Sequence, residues 1–292
     1  MIVTKAYPID TVVTQQLTCG ECPLYDYRTD TLYWIDSGQP GVYAYSFTNQ
    51  ALSMLPTPCA VTSLVFRQVG GLVLGSPEGL FIATPEGIVQ PWRVASPIPL
   101  TQLNDAIADP KGRLFIGQES FTDDQPDQTG FLFCCRPDGS VEVVEEGLSI
   151  ANGMGFSPDQ QTFYLIDTIP RVVYAYDYSP VTGAIRNRRV LKQFDRAQGL
   201  PDGMTIDAEG FLWVAMWFGQ ALIRLDPDGR EAATMSLPVT QPTSVTFGGA
   251  NKNRLFITSA AANWQTPLAP TDIKHNSPRG GSLYSTLVET TG

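Results

Sequence analysis

Four short stretches of the 292-residue chain set a carboxylate or amide side chain beside glycine, proline or a second acid: Gly20-Glu21-Cys22-Pro23, Leu103-Asn104-Asp105, Ala151-Asn152-Gly153 and Pro201-Asp202-Gly203. Brought to one point, the carboxylates of Glu21 and Asp202 and the amide oxygens of Asn152 and Asn104 make an all-oxygen cage with two negative charges. Such a cage suits a hard divalent cation, Ca²⁺ first, with Mg²⁺, Mn²⁺ or Zn²⁺ as alternatives. The chain has one histidine, His275, which excludes zinc centres built from two or three imidazoles. The competing reading is that Asn-Gly and Asp-Gly are turn formers, their commonest use.

Other reactive residues form weaker patterns. Cys19 and Cys22 bracket Glu21 in a Cys-x-x-Cys spacing, but a lone pair of this kind favours incidental thiols over a redox pair or soft metal ligands. An odd total of five cysteines suits reduced thiols better than a disulfide framework. Cys134 and Cys135 lie in FLFCCRP, where strand alternation sends one thiol to each face as a small core residue. His275, near Asp272 in a Pro-bearing stretch, reads as a surface loop residue rather than a base. No Gly-x-Ser-x-Gly elbow, phosphate-binding Gly-Lys-Ser/Thr loop or Gly-x-Gly-x-x-Gly turn occurs, so triad-esterase and nucleotide readings lack their motifs.

The elements that would position the four stretches are short strands in a repeat. Its copies begin at Leu24, Leu64, Ala106, Met154, Met204 and Val245, spaced 40, 42, 48, 50 and 41 residues apart. Each runs from an apolar strand through an Asp/Pro/Gly turn into a second strand and then a third, as in LYDYRTDTLYWIDSGQPGVYAYSF. No stretch sustains a helical apolar period. Spacing of roughly 40 to 50 residues is that of four-stranded propeller blades, so the expected fold is all-β: one six-bladed β-propeller domain over residues 1–292. A sandwich or barrel, also rich in short strands, explains the multi-strand repeat less well. In a propeller the loops leading into the innermost strands converge on the central channel, and each of the four stretches opens a copy. The last copy is interrupted between Ala260 and Gly280, and the N-terminal strand is a candidate for completing it.

Twenty-nine acidic against 19 basic residues give a formal charge of −10, which repels phosphate backbones and anionic lipid surfaces. Nucleic acid and membrane are therefore not expected partners, and a small molecule is. No apolar run approaches the ~18 residues that span a bilayer, and the first residues lack a signal-peptide pattern, so the expected location is cytoplasmic. The sequence leaves the oligomeric state open.

The segments GECPLYDYRTDTLYWID, LNDAIADPKGRLFIG, SIANGMGFSPDQQTFYLID, LPDGMTIDAEGFLWVAMW and PTSVTFGG resemble, in order, motifs of the SMP-30/gluconolactonase/luciferin-regenerating-enzyme family. The resemblance runs from about Leu17 to Leu287. It implies a six-bladed propeller with one divalent cation in its channel, and a lactone hydrolase. Position by position it implies that Glu21, Asn152 and Asp202 are metal ligands and that Asn104 lies beside metal and substrate. A cation in such a site polarises a lactone carbonyl and eases deprotonation of a nearby water. Asp202, a carboxylate with one oxygen left to the open side, is the candidate base.

Departures from the family pattern concern the substrate. Gln102 stands where sugar-lactonase members commonly carry Arg, Ala106-Ile107 replaces Gly-Lys, Leu24 replaces an aromatic residue, and Cys22 replaces Gly or Ser. Fewer cations and more apolar surface favour a less hydroxylated, less anionic lactone or ester, with Trp217 and Phe218 available as an apolar wall. Alternatives are the same metal site used for isomerisation, cyclisation or phosphotriester hydrolysis, and a non-enzymatic calcium-binding propeller.

Overall fold

Runs such as TLYWID and TFYLID, rich in aromatic and β-branched residues and closed by Asp- and Gly-bearing turns, form strands throughout the chain. The computed structural model describes residues 3–4, 7–120, 129–261 and 279–292. Its strands form six sheets, five of four strands and one of five, and among the described residues a single 3₁₀ turn, Arg196–Gln198, is the one helical element. Strands consecutive in the chain run antiparallel within each blade, as in the first: Gly20–Asp26, Thr31–Asp36, Pro40–Ser46 and Ala51–Ala60.

The innermost strands are Gly20–Asp26, Ser63–Phe66, Leu103–Ala108, Ala151–Phe156, Leu200–Ile206 and Pro242–Gly248. Each contacts the innermost strand of the next blade, and the sixth returns to the first, so the sheets close into a ring. This is the expected six-bladed propeller, and every repeat start falls on one of these strands. The sixth blade takes its outer strand from the other end of the chain: Asp10–Val13 pairs antiparallel with Leu283–Leu287. Val3–Thr4 adds a parallel fifth strand to blade five, beside Glu231–Ser236. His275 and Asp272 lie outside the described residues. No helix among the described residues is long and apolar enough to cross a membrane.

A flat sheet has two apolar faces, and a ring buries both by packing each blade on its neighbours. The described core accordingly divides into six clusters, one per blade interface. Cys134 packs with Phe115 and Phe163 between blades three and four, whereas Cys135 packs with Phe133 and Val65 between blades two and three, as strand alternation requires. Buried ions brace the ends of the innermost strands remote from the site. Within blade five Asp207 accepts hydrogen bonds from the Trp213 indole at 3.0 Å and from the Arg224 guanidinium, and Arg113, paired with Asp109, ties blade three to blade four by donating to the Pro180 carbonyl at 2.7 Å.

Phe115 is fully buried in the cluster between blades three and four. Phe115→Ala should destabilise the fold by about 3–5 kcal/mol, measured by urea unfolding against wild type.

Candidate metal centre

Five of the six innermost strands shift register against their second strand near the same level of the blade. The residues left unpaired there are Cys22-Pro23, Asn104-Asp105, Asn152-Gly153, Asp202-Gly203 and Thr243-Ser244, with Glu21 the last paired residue before its bulge. An extra residue in one strand re-aims its side chain, and in a ring the available direction is inward. Blade two has no such shift and supplies no candidate ligand. The Asn-Gly and Asp-Gly pairs are thus strand bulges at the channel rather than surface turns.

Glycine follows the ligand because neighbouring strands approach closely. A Cβ on Gly153 would stand 2.6 Å from the Asp202 carbonyl oxygen and 2.8 Å from the Met204 nitrogen. Cys22, by contrast, adopts a left-handed φ of 52°, a conformation that glycine takes without steric cost. Its sulfur receives the Leu64 N–H at 3.4 Å and lies 3.8 Å from Asp105 Oδ1.

Polar links run from blade to blade at this level. Thr62 Oγ1 donates to the Leu103 carbonyl at 2.7 Å, Asn104 Nδ2 to the Ala151 carbonyl at 3.2 Å, and Thr243 Oγ1 to the Gly20 carbonyl. Asn152 Nδ2 donates to Asp202 Oδ1 at 2.5 Å and to Thr168 Oγ1 at 3.2 Å, while its Oδ1 accepts from the Gly153 N–H at 3.0 Å.

Three acids meet here: Asp202 is buried, and Glu21 and Asp105 are half-buried. Burial, then repulsion from Asp202 and Asp105, pushes the Glu21 carboxyl well above its ordinary range. Asp202 is pushed up in the same way, by burial and by Asp105, against the opposing hydrogen bond from Asn152. Burial raises Asp105 to about 6, although the Ala106 N–H and the Cys22 thiol favour its charged form. Among the described residues no ion pair reaches any of the three. Negative charge enclosed without a protein counter-charge fits a bound cation. The described residues hold no group of three His, Cys, Asp or Glu side chains able to bind an ion by itself, so amide oxygens would have to complete the set. A flip of the Asn152 amide exchanges its oxygen and nitrogen in place and would present Oδ1 beside Asp202.

The structure therefore brings Glu21, Asn152 and Asp202 together, with Asn104 on the adjacent strand. Asp105 is the member that the sequence reading missed; its signal was its place directly after Asn104. Burial and the nearby carboxylates drive both the Cys19 and Cys22 thiols far above their usual range, which disfavours the thiolates that redox or soft-ligand roles need. Gln102 is exposed at φ 50°, one residue before the innermost strand of blade three. Trp217 is 8% exposed; its indole donates to Gln241 Oε1 at 3.1 Å and its ring stacks on Phe218 at 4.5 Å. Below the bulges a cavity of about 510 Å³ is lined by all six innermost strands, including Leu64, Ile107, Met154 and Met204, and bordered by Asp105 and Cys22.

Fold and centre together define a six-bladed propeller with a buried acidic site where the innermost strands converge. The chain belongs to the SMP-30/Gluconolactonase/LRE-like family, whose family model matches residues 19–261. It is 32% identical to a regucalcin of Xenopus laevis over 94% of this chain and 93% of that protein. It is also 32% identical to the pentonolactonase XacC of Haloferax volcanii over 96% of this chain and 94% of that one. Among solved structures, a luciferin-regenerating enzyme superposes with a TM-score of 0.86 at 29% identity, covering 98% of this chain and 97% of the other.

Because no Cβ fits at Gly153, Gly153→Ala should force Asn152 and Asp202 apart. The expected result is a loss of about 1–3 kcal/mol in stability together with weakened Ca²⁺ binding, read by thermal unfolding with and without Ca²⁺.

Proposed function

We propose that this protein is a hydrolase that opens a small lactone or related ester at a divalent cation held by Glu21, Asn152 and Asp202. The observation that carries the reading is the gathering of three carboxyl groups beside an amide with no balancing cation among the described residues. The pentonolactonase relative supports the substrate class, and the hard oxygen donors suit Ca²⁺, taken first, or Mg²⁺ and Mn²⁺ better than Zn²⁺. When bound, the cation supplies electrophilic stabilisation of the charge that develops on the substrate carbonyl oxygen and makes a nearby water more acidic.

The chain's own groups do the rest. Asp202 takes a proton from the attacking water as the new carbon–oxygen bond forms, and the proton passes to the ring oxygen when the ester bond breaks. Asn104 orients the substrate with its amide. Gln102, neutral where sugar-lactonase members carry a guanidinium, favours a less anionic substrate, with Trp217 as a wall residue that must turn from its present packing to touch it.

Asp202→Asn should lower lactone turnover by ~10²- to 10⁴-fold, and Glu21→Gln should abolish the cation response; both are read on a lactone panel with Ca²⁺, Mg²⁺, Mn²⁺ and Zn²⁺ after chelation. A native-state cation at one hundred times its Kd adds ~2.7 kcal/mol, so EDTA should lower the wild-type Tm. Unchanged Tm and turnover after chelation would sink the metal assignment. Phosphotriester turnover exceeding lactone turnover would assign the site to other chemistry, and a wild type that turns over neither substrate with any of the four cations would leave a non-enzymatic calcium-binding propeller.

A further inference from the structure

Two aspartates outside the acidic centre hold the turns that deliver its ligands. Asp36 ends Thr31–Asp36, the second strand of blade one, and is 3% exposed. Its Oδ2 accepts the Thr18 N–H at 2.8 Å, and its Oδ1 accepts the N–H groups of Cys19 and Gly38, each at 3.0 Å. Thr18 and Cys19 lie immediately before the strand that carries Glu21. Asp167 ends Thr162–Asp167, the second strand of blade four, and is 1% exposed. It accepts the Ser149 N–H at 3.1 and 3.2 Å and the Ile150 N–H at 3.1 Å, immediately before the strand that carries Asn152. The next residue, Thr168, takes the Asn152 amide itself.

The device is confined to these two blades. At the same point the second strands of blades two, three, five and six end in Ser76, Gln118, Trp217 and Ser259. An ionised acceptor facing two adjacent backbone donors fixes their direction more firmly than a neutral one. Glu21 needs that firmness, since its carboxylate is held only weakly, by the Cys19 thiol at 4.0 Å and the Cys22 amide.

We propose that Asp36 and Asp167 are positioning residues that aim Glu21 and Asn152 at the cation by clamping the two backbone amides before each ligand strand. The proposal rests on the cation-site reading. Its prediction is a loss of cation affinity out of proportion to any loss of fold, because the clamps act on ligand direction and touch neither cation nor substrate. Asp207 supplies the comparison: it is equally buried and accepts two backbone N–H groups, at 2.9 and 3.0 Å, but at the opposite end of the blade-five strand.

The test is calorimetric titration of Ca²⁺ into the wild type and into Asp36→Asn, Asp167→Asn and Asp207→Asn, with Tm measured in EDTA and in Ca²⁺. Asp36→Asn and Asp167→Asn should raise the Ca²⁺ Kd by about 10- to 100-fold and shrink the Ca²⁺-induced rise in Tm, with faster hydrogen exchange at Thr18–Cys19 and Ser149–Ile150 respectively. Asp207→Asn should lower Tm in EDTA and leave the Kd at the wild-type value. Should an Asn variant not fold, Asp36→Glu and Asp167→Glu carry the same comparison with the charge kept and its reach altered. Wild-type Kd values in the folded clamp variants, or an equal loss of affinity in Asp207→Asn, would overturn the clamp role. A wild type that binds none of Ca²⁺, Mg²⁺ and Mn²⁺ would instead overturn the cation reading itself.

Discussion

Like charges resist burial together, and the centre of this protein brings together three carboxyl groups that no ion pair reaches among the described residues. Left alone, such groups would swing apart or take up protons. The surrounding structure counters the first outcome by rigidity: glycine contacts with no room for a methyl group, inter-blade hydrogen bonds from Thr62, Asn104 and Thr243, and aspartate-held turns. The second would be countered by a cation in the cage, which an acidic centre with stiff walls would stabilise far more than a neutral guest.

Ring closure supplies the geometry. The innermost strands keep their ladders to the second strands, so a residue is freed for the channel only where that ladder slips by one. Asn104, Asn152 and Asp202 stand at such slips in blades three, four and five, and Glu21 borders the slip in blade one. The blades are thus alike in framework and different at one point. Blade two, with an unbroken ladder, contributes structure alone.

The framework was legible because its signals are local. Strand-turn-strand patterns near Leu24, Leu64, Ala106, Met154, Met204 and Val245 all fall on innermost strands, and the facing of Cys134 and Cys135 follows from a two-residue period. Glu21, Asn152 and Asp202 could be placed together because ring symmetry converts a repeated position into a shared location. What escaped depended on distances between blades. Gly153 read as half of a turn, whereas its reason is the backbone of Met204 on the next strand. Asp105 carried no separate signal, since its enclosure with Glu21 and Asp202 arises only when blades one, three and five meet. The packing of Trp217 against Gln241 and Phe218 was likewise beyond strand periodicity.

The pairing of Asp10–Val13 with Leu283–Leu287 orders events during biosynthesis. Asp10–Val13 must wait, without this partner, until Leu283–Leu287 has emerged from the ribosome. Until then the circle is open, and the first blade, which bears Glu21, lacks its neighbour. The acidic centre is consequently among the last features to mature.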